Sequence, residues 1–85
     1  MSKLEKMKQR LFSCPKDYTY KEAKQLLSQL GFQEYTKGKT SGSRIKFYRA
    51  SDEDIILLHK PHPGDIMVNA AVKSLRNHLV EKGEL

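Results

Sequence analysis

The chain has 85 residues, enough for one small domain with a modest core and too few for a separate cofactor domain. Its 16 Lys and Arg residues outnumber its 10 Asp and Glu residues, so the formal net charge is +6. A basic protein attracts polyanions, and nucleic acid is the commonest of them. On charge alone, a domain whose surface lysines are only hydrated is a slightly better interpretation than a nucleic-acid-binding protein. The positions of the charges must decide between the two.

Cysteine usage and hydropathy indicate the cellular setting. Cys14 is the single cysteine, which excludes a disulfide framework and a thiolate metal site and favours the cytoplasm. Charged residues interrupt positions 1–12, so no signal peptide is expected there. The longest aliphatic run, IILL at residues 55–58, is far too short to span a bilayer. We expect neither export nor membrane insertion, and no metal or other cofactor.

A short amphipathic helix is predicted at the N-terminal end. Leu4, Met7, Leu11 and Phe12 recur at helical spacing, with charged residues between them, before Pro15 ends the pattern. We assign residues 1–14 to an N-terminal helical extension and residues 15–85 to the main domain.

The second predicted helix has a recognisable start and stop. Thr19 and Glu22 fit a capping box, in which each side chain satisfies a free amide of the first turn. Gly31 followed by Phe32 fits a glycine cap with an apolar residue folding back, so the helix should end near Leu30. Its buried stripe is predicted to consist of Ala23, Leu26, Leu27 and Leu30.

Three strands are predicted next, at residues 32–36, 44–49 and 55–58, with a hairpin loop at 37–43. Because strand side chains alternate, Ile45 and Phe47 should face the core, and the other face should be cationic. The second face is predicted to hold Arg44, Lys46 and Tyr48. The third strand is apolar enough to be central or covered on both sides. The acidic turn at residues 51–54 is expected to be simply hydrated.

A final helix follows, with Asn69 as its predicted N-cap and Gly83 as its stop. Its apolar positions are Val68, Ala71, Val72, Leu75 and Leu79. The order of elements predicts an α+β fold with an α-β-β-β-α core, in which two helices pack on one face of a three-stranded antiparallel sheet. This is the layout of a double-stranded RNA-binding domain. Such domains contact RNA through its backbone and 2′-hydroxyls more than through its sequence.

Two segments contain the residues best suited to chemistry on RNA. The basic, glycine-containing stretch KGKTSGSR spans residues 37–44, and HKPHPG spans residues 59–64. Arginine can hold two phosphate oxygens at once, and lysine supplies further positive charge. The predicted RNA-binding residues are Lys37, Lys39, Ser43, Arg44, Lys46 and Lys60.

Metal-free RNA cleavage needs a base, an acid and a cation beside the phosphorus. His59 and His62 suit the first two roles, because an unperturbed imidazole titrates near pH ~6.5. Arg44 suits the third role. These three residues are the candidate catalytic set. Without further information, two histidines in a proline-containing loop are more often exposed turn residues.

The other titratable aromatic and imidazole groups have weaker cases for function. His78 lies between apolar positions of the last helix and is expected to be a surface or boundary residue. Tyr48 is a candidate for stacking on a base, but packing around the small core is the favoured role for all four tyrosines. The four are Tyr18, Tyr20, Tyr35 and Tyr48.

A family resemblance adds to this interpretation. The order Leu30-Gly31-Phe32, then a basic loop entering Gly42-Ser43, a hydrophobic strand, and Pro61-His62 before the last helix resembles the HicA family of bacterial toxins. The similarity runs from about Thr19 to the C-terminus. It implies a double-stranded-RNA-binding-like fold, mRNA cleavage without a metal, and neutralisation by a HicB-like antitoxin.

One departure from the family pattern bears on the chemistry. The family has Gly-Ser-His, with a histidine regarded as catalytic, where this chain has Gly42-Ser43-Arg44. Arginine stays protonated and cannot act as a general base. Three hypotheses follow: a nuclease that relies on His59 and His62, an RNA-binding module without cleavage, or a different phosphodiester chemistry. A basic protein-interaction domain is a further alternative.

Overall fold

The computed structural model describes residues 2–35, 44–61 and 64–85, with Arg44 described by its backbone alone. The predicted loop at 37–43 and His62 therefore lie outside the described residues. The structure has three helices and three strands in the described part of the chain. They are α1 (Lys3–Phe12), α2 (Tyr20–Gln29), β1 (Gln33–Tyr35), β2 (Arg44–Arg49), β3 (Asp54–His59) and α3 (Asn69–Glu81). This α+β arrangement confirms the predicted order of α-β-β-β-α.

The strands form one antiparallel sheet in the order β1-β2-β3. In its register Phe47 of β2 lies between Glu34 of β1 and Ile56 of β3. One face of the sheet is buried beneath the helices, and its apolar residues are Ile45, Phe47, Ile56 and Leu58. The predicted alternation of β2 is confirmed for Ile45 and Phe47, which are buried, and for Lys46, which is exposed.

The capping residues predicted for α2 form the expected contacts. Thr19 Oγ1 accepts a hydrogen bond from the Glu22 amide at 3.1 Å, and Glu22 Oε1 accepts one from the Thr19 amide at 3.1 Å. At the other end Gly31 has a φ of +95°, and the Phe32 amide donates to the Leu27 carbonyl at 2.9 Å. Glycine reaches this left-handed conformation without steric cost, which explains the reversal of the chain.

The helix α1 contributes to the same hydrophobic core as the rest of the chain. Leu11 is completely buried in that core, and Leu4 and Met7 pack against it. Arg10 forms ion pairs with Glu22 of α2 and with Asp17, the latter at 3.2 Å. The division between residues 14 and 15 stays a prediction, although the core is shared across it.

The N-cap of α3 lies one residue before the predicted position. Val68 occupies the N-cap position, with extended φ and ψ and no side-chain cap bond, while Asn69 is the first helical residue. Asn69 Nδ2 instead donates to the Cys14 carbonyl at 3.2 Å. This bond links the start of α3 to the segment that follows α1, a contact between residues distant in sequence.

Two further expectations are wrong. The third strand is not central or covered on both sides, because β3 is an edge strand whose Ile55 and Leu57 are 47% and 56% exposed. The acidic turn is not simply hydrated, because Asp54 is buried and Asp52 accepts two bonds from Arg49, at 3.0 and 2.8 Å.

Candidate functional site

The side of the sheet away from the helices bears exposed side chains, and we call it the open sheet face. Because the side chains of a strand alternate between the two faces of a sheet, every second residue of each strand lies on this face, and the register shows which ones. Its described residues are Gln33 and Tyr35 of β1, Lys46 and Tyr48 of β2, and Ile55, Leu57 and His59 of β3. None of these residues is acidic, and all but the half-buried Tyr48 are exposed.

Carboxylates of the sheet lie on its other face. Glu34 accepts from the Tyr20 hydroxyl at 3.0 Å and pairs with Lys24 Nζ at 3.0 Å. Burial acts to raise the pKa of Glu34, but the hydrogen bonds from Lys24 and Tyr20 outweigh it and hold the pKa below its ordinary value. Asp54 pairs with His78 of α3 and with Lys82, the residue after that helix. The negative charge of the strands is therefore neutralised on the helix side, and the open sheet face is left without it.

The register brings two of the predicted catalytic residues together. Arg44 at the start of β2 lies directly opposite His59 at the end of β3. Residues so paired in an antiparallel sheet have Cα atoms about 4.5–5.5 Å apart. Lys46 lies two positions along β2, opposite Leu57, and Lys60 is exposed immediately after β3. The remaining predicted site residues, Lys37, Lys39, Ser43 and His62, lie outside the described part of the chain.

The four tyrosines divide into two pairs. Tyr18 and Tyr20 are 1% and 5% exposed, which confirms their predicted packing role. Burial raises the pKa of both hydroxyls, and for Tyr20 the bond to Glu34 adds to the effect. Tyr35 and Tyr48 lie instead on the open sheet face, so the predicted core role is wrong for them. Their ring centroids are 6.0 Å apart, with an interplanar angle of 71°.

Sequence reasoning missed the partner of His78. His78 Nε2 donates towards both carboxylate oxygens of Asp54, at 3.0 and 2.9 Å, and Lys82 Nζ lies 3.7 Å from Asp54 Oδ1. The two residues are 24 positions apart, so no local pattern could indicate the pair. A buried carboxylate held by the imidazole of His78 in α3 and by Lys82, which caps that helix, is a structural contact, because no described nucleophile bonds to the imidazole.

Arg49 joins the sheet to both the end of α2 and the C-terminal end of the chain. Its guanidinium donates to Asp52, to the Leu30 carbonyl at 3.2 Å and to Glu84 Oε2 at 2.7 Å. Hydrogen bonding to Asp52, and then to Glu84, raises the arginine pKa despite partial burial. The bond to Leu30 satisfies a carbonyl at the helix end, where no helical amide is available.

A second basic surface lies on the helix side. An open groove of about 400 Å³ runs between α1 and α2, and its lining contains no carboxylate. The cations along it are Lys3, Lys21 and Lys24, although Lys24 also pairs with Glu34. This groove had no sequence signal of its own, because its lysines come from helices that are separate in the chain.

Other classes of site receive no support from the described residues. Among residues 2–35, 44–61 and 64–85, the structure has no group of three side chains placed to hold a metal ion. None of the helices in that part of the chain has the length and apolar character needed to cross a membrane. Comparison of the chain with protein-family models, with curated proteins and with solved structures finds no match in any of the three.

Proposed function

We propose that the protein is a HicA-like toxin that binds RNA and cleaves mRNA without a metal. The observation that supports this proposal most directly is the pairing of Arg44 with His59. In this register the backbone positions of an obligate cation and of an imidazole are neighbours at adjacent strand ends. Lys46 and Lys60 are exposed close by in the chain.

Each residue has a defined part in this mechanism. Arg44 binds the phosphate and stabilises the additional negative charge of the transition state. His59 and His62 exchange the protons of the 2′-hydroxyl and of the departing oxygen. Lys46 and Lys60 hold the neighbouring phosphates. This assignment gives Arg44 no part in proton transfer, although the HicA pattern has a histidine at this position.

The binding half of the proposal is tested with a single-stranded RNA over a salt series. Lys46→Ala should reduce the slope of log affinity against log salt by about one unit, because one fewer counterion is released. Lys21→Ala is the matched control, since Lys21 is an exposed lysine of the α1–α2 groove. If Lys21→Ala lowers the slope and Lys46→Ala does not, RNA binds the helix side and the proposed site is wrong.

The catalytic half is tested with purified protein, labelled RNA and a chelator that removes divalent metals. Arg44→Ala should weaken both binding and turnover, because a guanidinium contacts phosphate in the ground and transition states. His62→Ala should reduce turnover alone. Lys73→Ala, which changes an exposed residue of α3, should leave both unchanged. Equal cleavage after both His59→Ala and His62→Ala would exclude this mechanism.

A specific observation favours one alternative, an RNA-binding module without cleavage. The chain has Arg44 where the family has its catalytic histidine, and arginine cannot accept a proton. The alternative is correct if the unmodified protein binds RNA with the expected salt dependence but leaves it intact.

The proposal includes a small acidic protein partner, a HicB-like antitoxin, that covers Arg44 and the loop at residues 59–62. Charge complementarity would favour and orient this contact. Expression of the chain alone should inhibit growth, and co-expression of the partner should relieve the inhibition. The variant Arg44→Ala, which lacks this positive charge, should bind the partner less tightly. Relief of growth inhibition without any physical complex would contradict this part of the proposal.

A further inference from the structure

We propose that the open sheet face is a stacking platform for the bases of single-stranded RNA, with Tyr35 and Tyr48 as its aromatic contacts. The inference rests on the proposed RNA-binding function and deepens it. It specifies an unpaired strand as the ligand, and it places bases, rather than phosphates alone, against the protein.

The two tyrosine rings are arranged so that a base can reach them. They lie on adjacent strands, with Tyr35 opposite Lys46 and Tyr48 two residues further along β2. At 71° between planes the edge of one ring meets the face of the other. The ring that contributes its edge therefore has neither of its faces covered by the other tyrosine. Tyr35 is 44% exposed, so aromatic surface is available to a ligand.

The surroundings of the rings suit nucleobases and the strand that joins them. Ile55 lies opposite Tyr48, and Leu57 lies opposite Lys46, so apolar side chains flank the aromatic pair. These residues can cover the edges of stacked bases, while Lys46 binds the backbone. Aromatic side chains interleaved with cations on a sheet are the usual means of binding single strands.

Charge identifies an anionic strand as the occupant of this face. The strand carboxylates Glu34 and Asp54 are both engaged on the helix side, and none of the described residues of the open sheet face is acidic. An RNA duplex does not fit this surface, because its bases are paired and stacked and cannot lie on the tyrosine rings. The geometry therefore favours unpaired RNA.

The experiment compares two oligonucleotides of equal length and charge: single-stranded oligo(U) and an abasic strand with the same phosphates. The unmodified protein should bind oligo(U) more tightly. Replacing both tyrosines, Tyr35→Leu with Tyr48→Leu, should weaken binding of oligo(U) about tenfold or more, because each base–aromatic contact is lost. Binding of the abasic strand should not change. The conservative pair Tyr35→Phe with Tyr48→Phe retains both rings and should bind oligo(U) normally.

Tyrosine emission provides an independent measurement, since the chain has four tyrosines and no tryptophan. Tyr18 and Tyr20 are buried, so quenching by added oligo(U) should come from the other two. The quenching should disappear in the double variant Tyr35→Leu with Tyr48→Leu, and it should persist at reduced amplitude in each single variant, Tyr35→Leu or Tyr48→Leu. Far-ultraviolet circular dichroism of each variant establishes that the fold is intact before binding is compared.

The outcomes separate the two proposals. If the protein binds oligo(U) and the abasic strand equally, and only Lys46→Ala weakens both, RNA binding stands and the stacking platform is wrong. If a duplex of matched length binds as tightly as oligo(U), the platform is again wrong. If the leucine pair loses an acidic protein partner and keeps its RNA affinity, the face is a protein-docking surface instead. If the unmodified protein binds no RNA, both proposals fail.

Discussion

His78 in the last turn of α3 donates towards both carboxylate oxygens of Asp54, the first residue of β3, at 3.0 and 2.9 Å. Asp54 is 6% exposed, so its carboxylate has little contact with water and its charged neighbour besides His78 is Lys82, whose Nζ lies 3.7 Å from Oδ1. The pair fixes α3 against the edge strand of the sheet. It stabilises the strand whose other end places His59 opposite Arg44.

Removing the imidazole should destabilise the fold. His78→Ala leaves a buried carboxylate with one distant cation, and we expect a loss of about 1–3 kcal/mol in the free energy of unfolding. Urea denaturation followed by circular dichroism measures it. Lys73→Ala, at an exposed position of the same helix, should change stability little. Equal stability of the two variants would mean that Asp54 is hydrated in solution.

Leu11 should contribute as much to the stability of the fold as the core residues of the main domain do. It is completely buried, and Leu11→Ala should cost about 2–5 kcal/mol, as is typical for core leucines. Phe12→Ala changes the next residue, which is 56% exposed, and should cost much less. Thermal or urea unfolding tests the comparison. A small effect at Leu11 would support residues 1–14 as a separable extension.

The capping box of α2 should contribute measurably to stability. Thr19→Ala removes the hydroxyl that accepts from the Glu22 amide, and we expect a loss of about 1 kcal/mol. Thr19→Ser retains the hydroxyl and is the matched control. Similar stability of the alanine and serine variants would show that water replaces the cap without cost.

Acid should destabilise the protein through Glu22 and Glu34. Burial opposes the shift, but bonds from Arg10 and Thr19 lower the pKa of Glu22, and bonds from Lys24 and Tyr20 lower that of Glu34. As pH falls, the unfolded chain therefore binds protons before the folded chain does. Stability should be complete above the ordinary glutamate pKa of 4.5 and fall steadily below it.

A substitution identifies the contribution of Glu34 to this acid sensitivity. Glu34→Gln should lower stability near neutral pH and make the decline below the ordinary glutamate pKa shallower. Glu81→Gln, at an exposed position near the end of α3, should leave the pH profile unchanged. Urea midpoints measured across the acid range provide the comparison, and parallel profiles for Glu34→Gln and the unmodified protein would contradict the assignment.

Local patterns predicted most of the elements, because their signals lie within a few residues. The Thr19 cap, the reversal at Gly31 and the alternation around Phe47 each depend on neighbouring positions. The strand β3 was predicted as a strand, but its edge position was not, because Ile55 and Leu57 on its open face are apolar and gave no alternation of polarity. The contacts of Asp54 with His78 and Lys82, and of Arg49 with Glu84, were missed because these partners come from α3 and from the segment that follows it.

The candidate site was predicted less completely than the fold. Cationic residues and histidines were identified by type, and the register of β2 with β3 then placed Arg44 opposite His59. Residue type alone did not separate the exposed Tyr35 and the half-buried Tyr48 from the two buried tyrosines. Tyr35 and Tyr48 lie on the open sheet face, whereas Tyr18 precedes α2, Tyr20 is its first residue, and both pack into the core. The separation therefore depends on tertiary packing, which residue type does not report.

The order β1-β2-β3 also has a consequence for how the chain folds. Every strand pairs with its neighbour in sequence, so each pairing closes only a short segment of chain. Such topologies fold faster than those built from pairings between distant segments. The contact of Arg76 with the Phe12 carbonyl joins residues 64 positions apart. Closing so long a segment costs more chain entropy. We expect α1 to dock against α3 late in folding and to separate early when the protein opens.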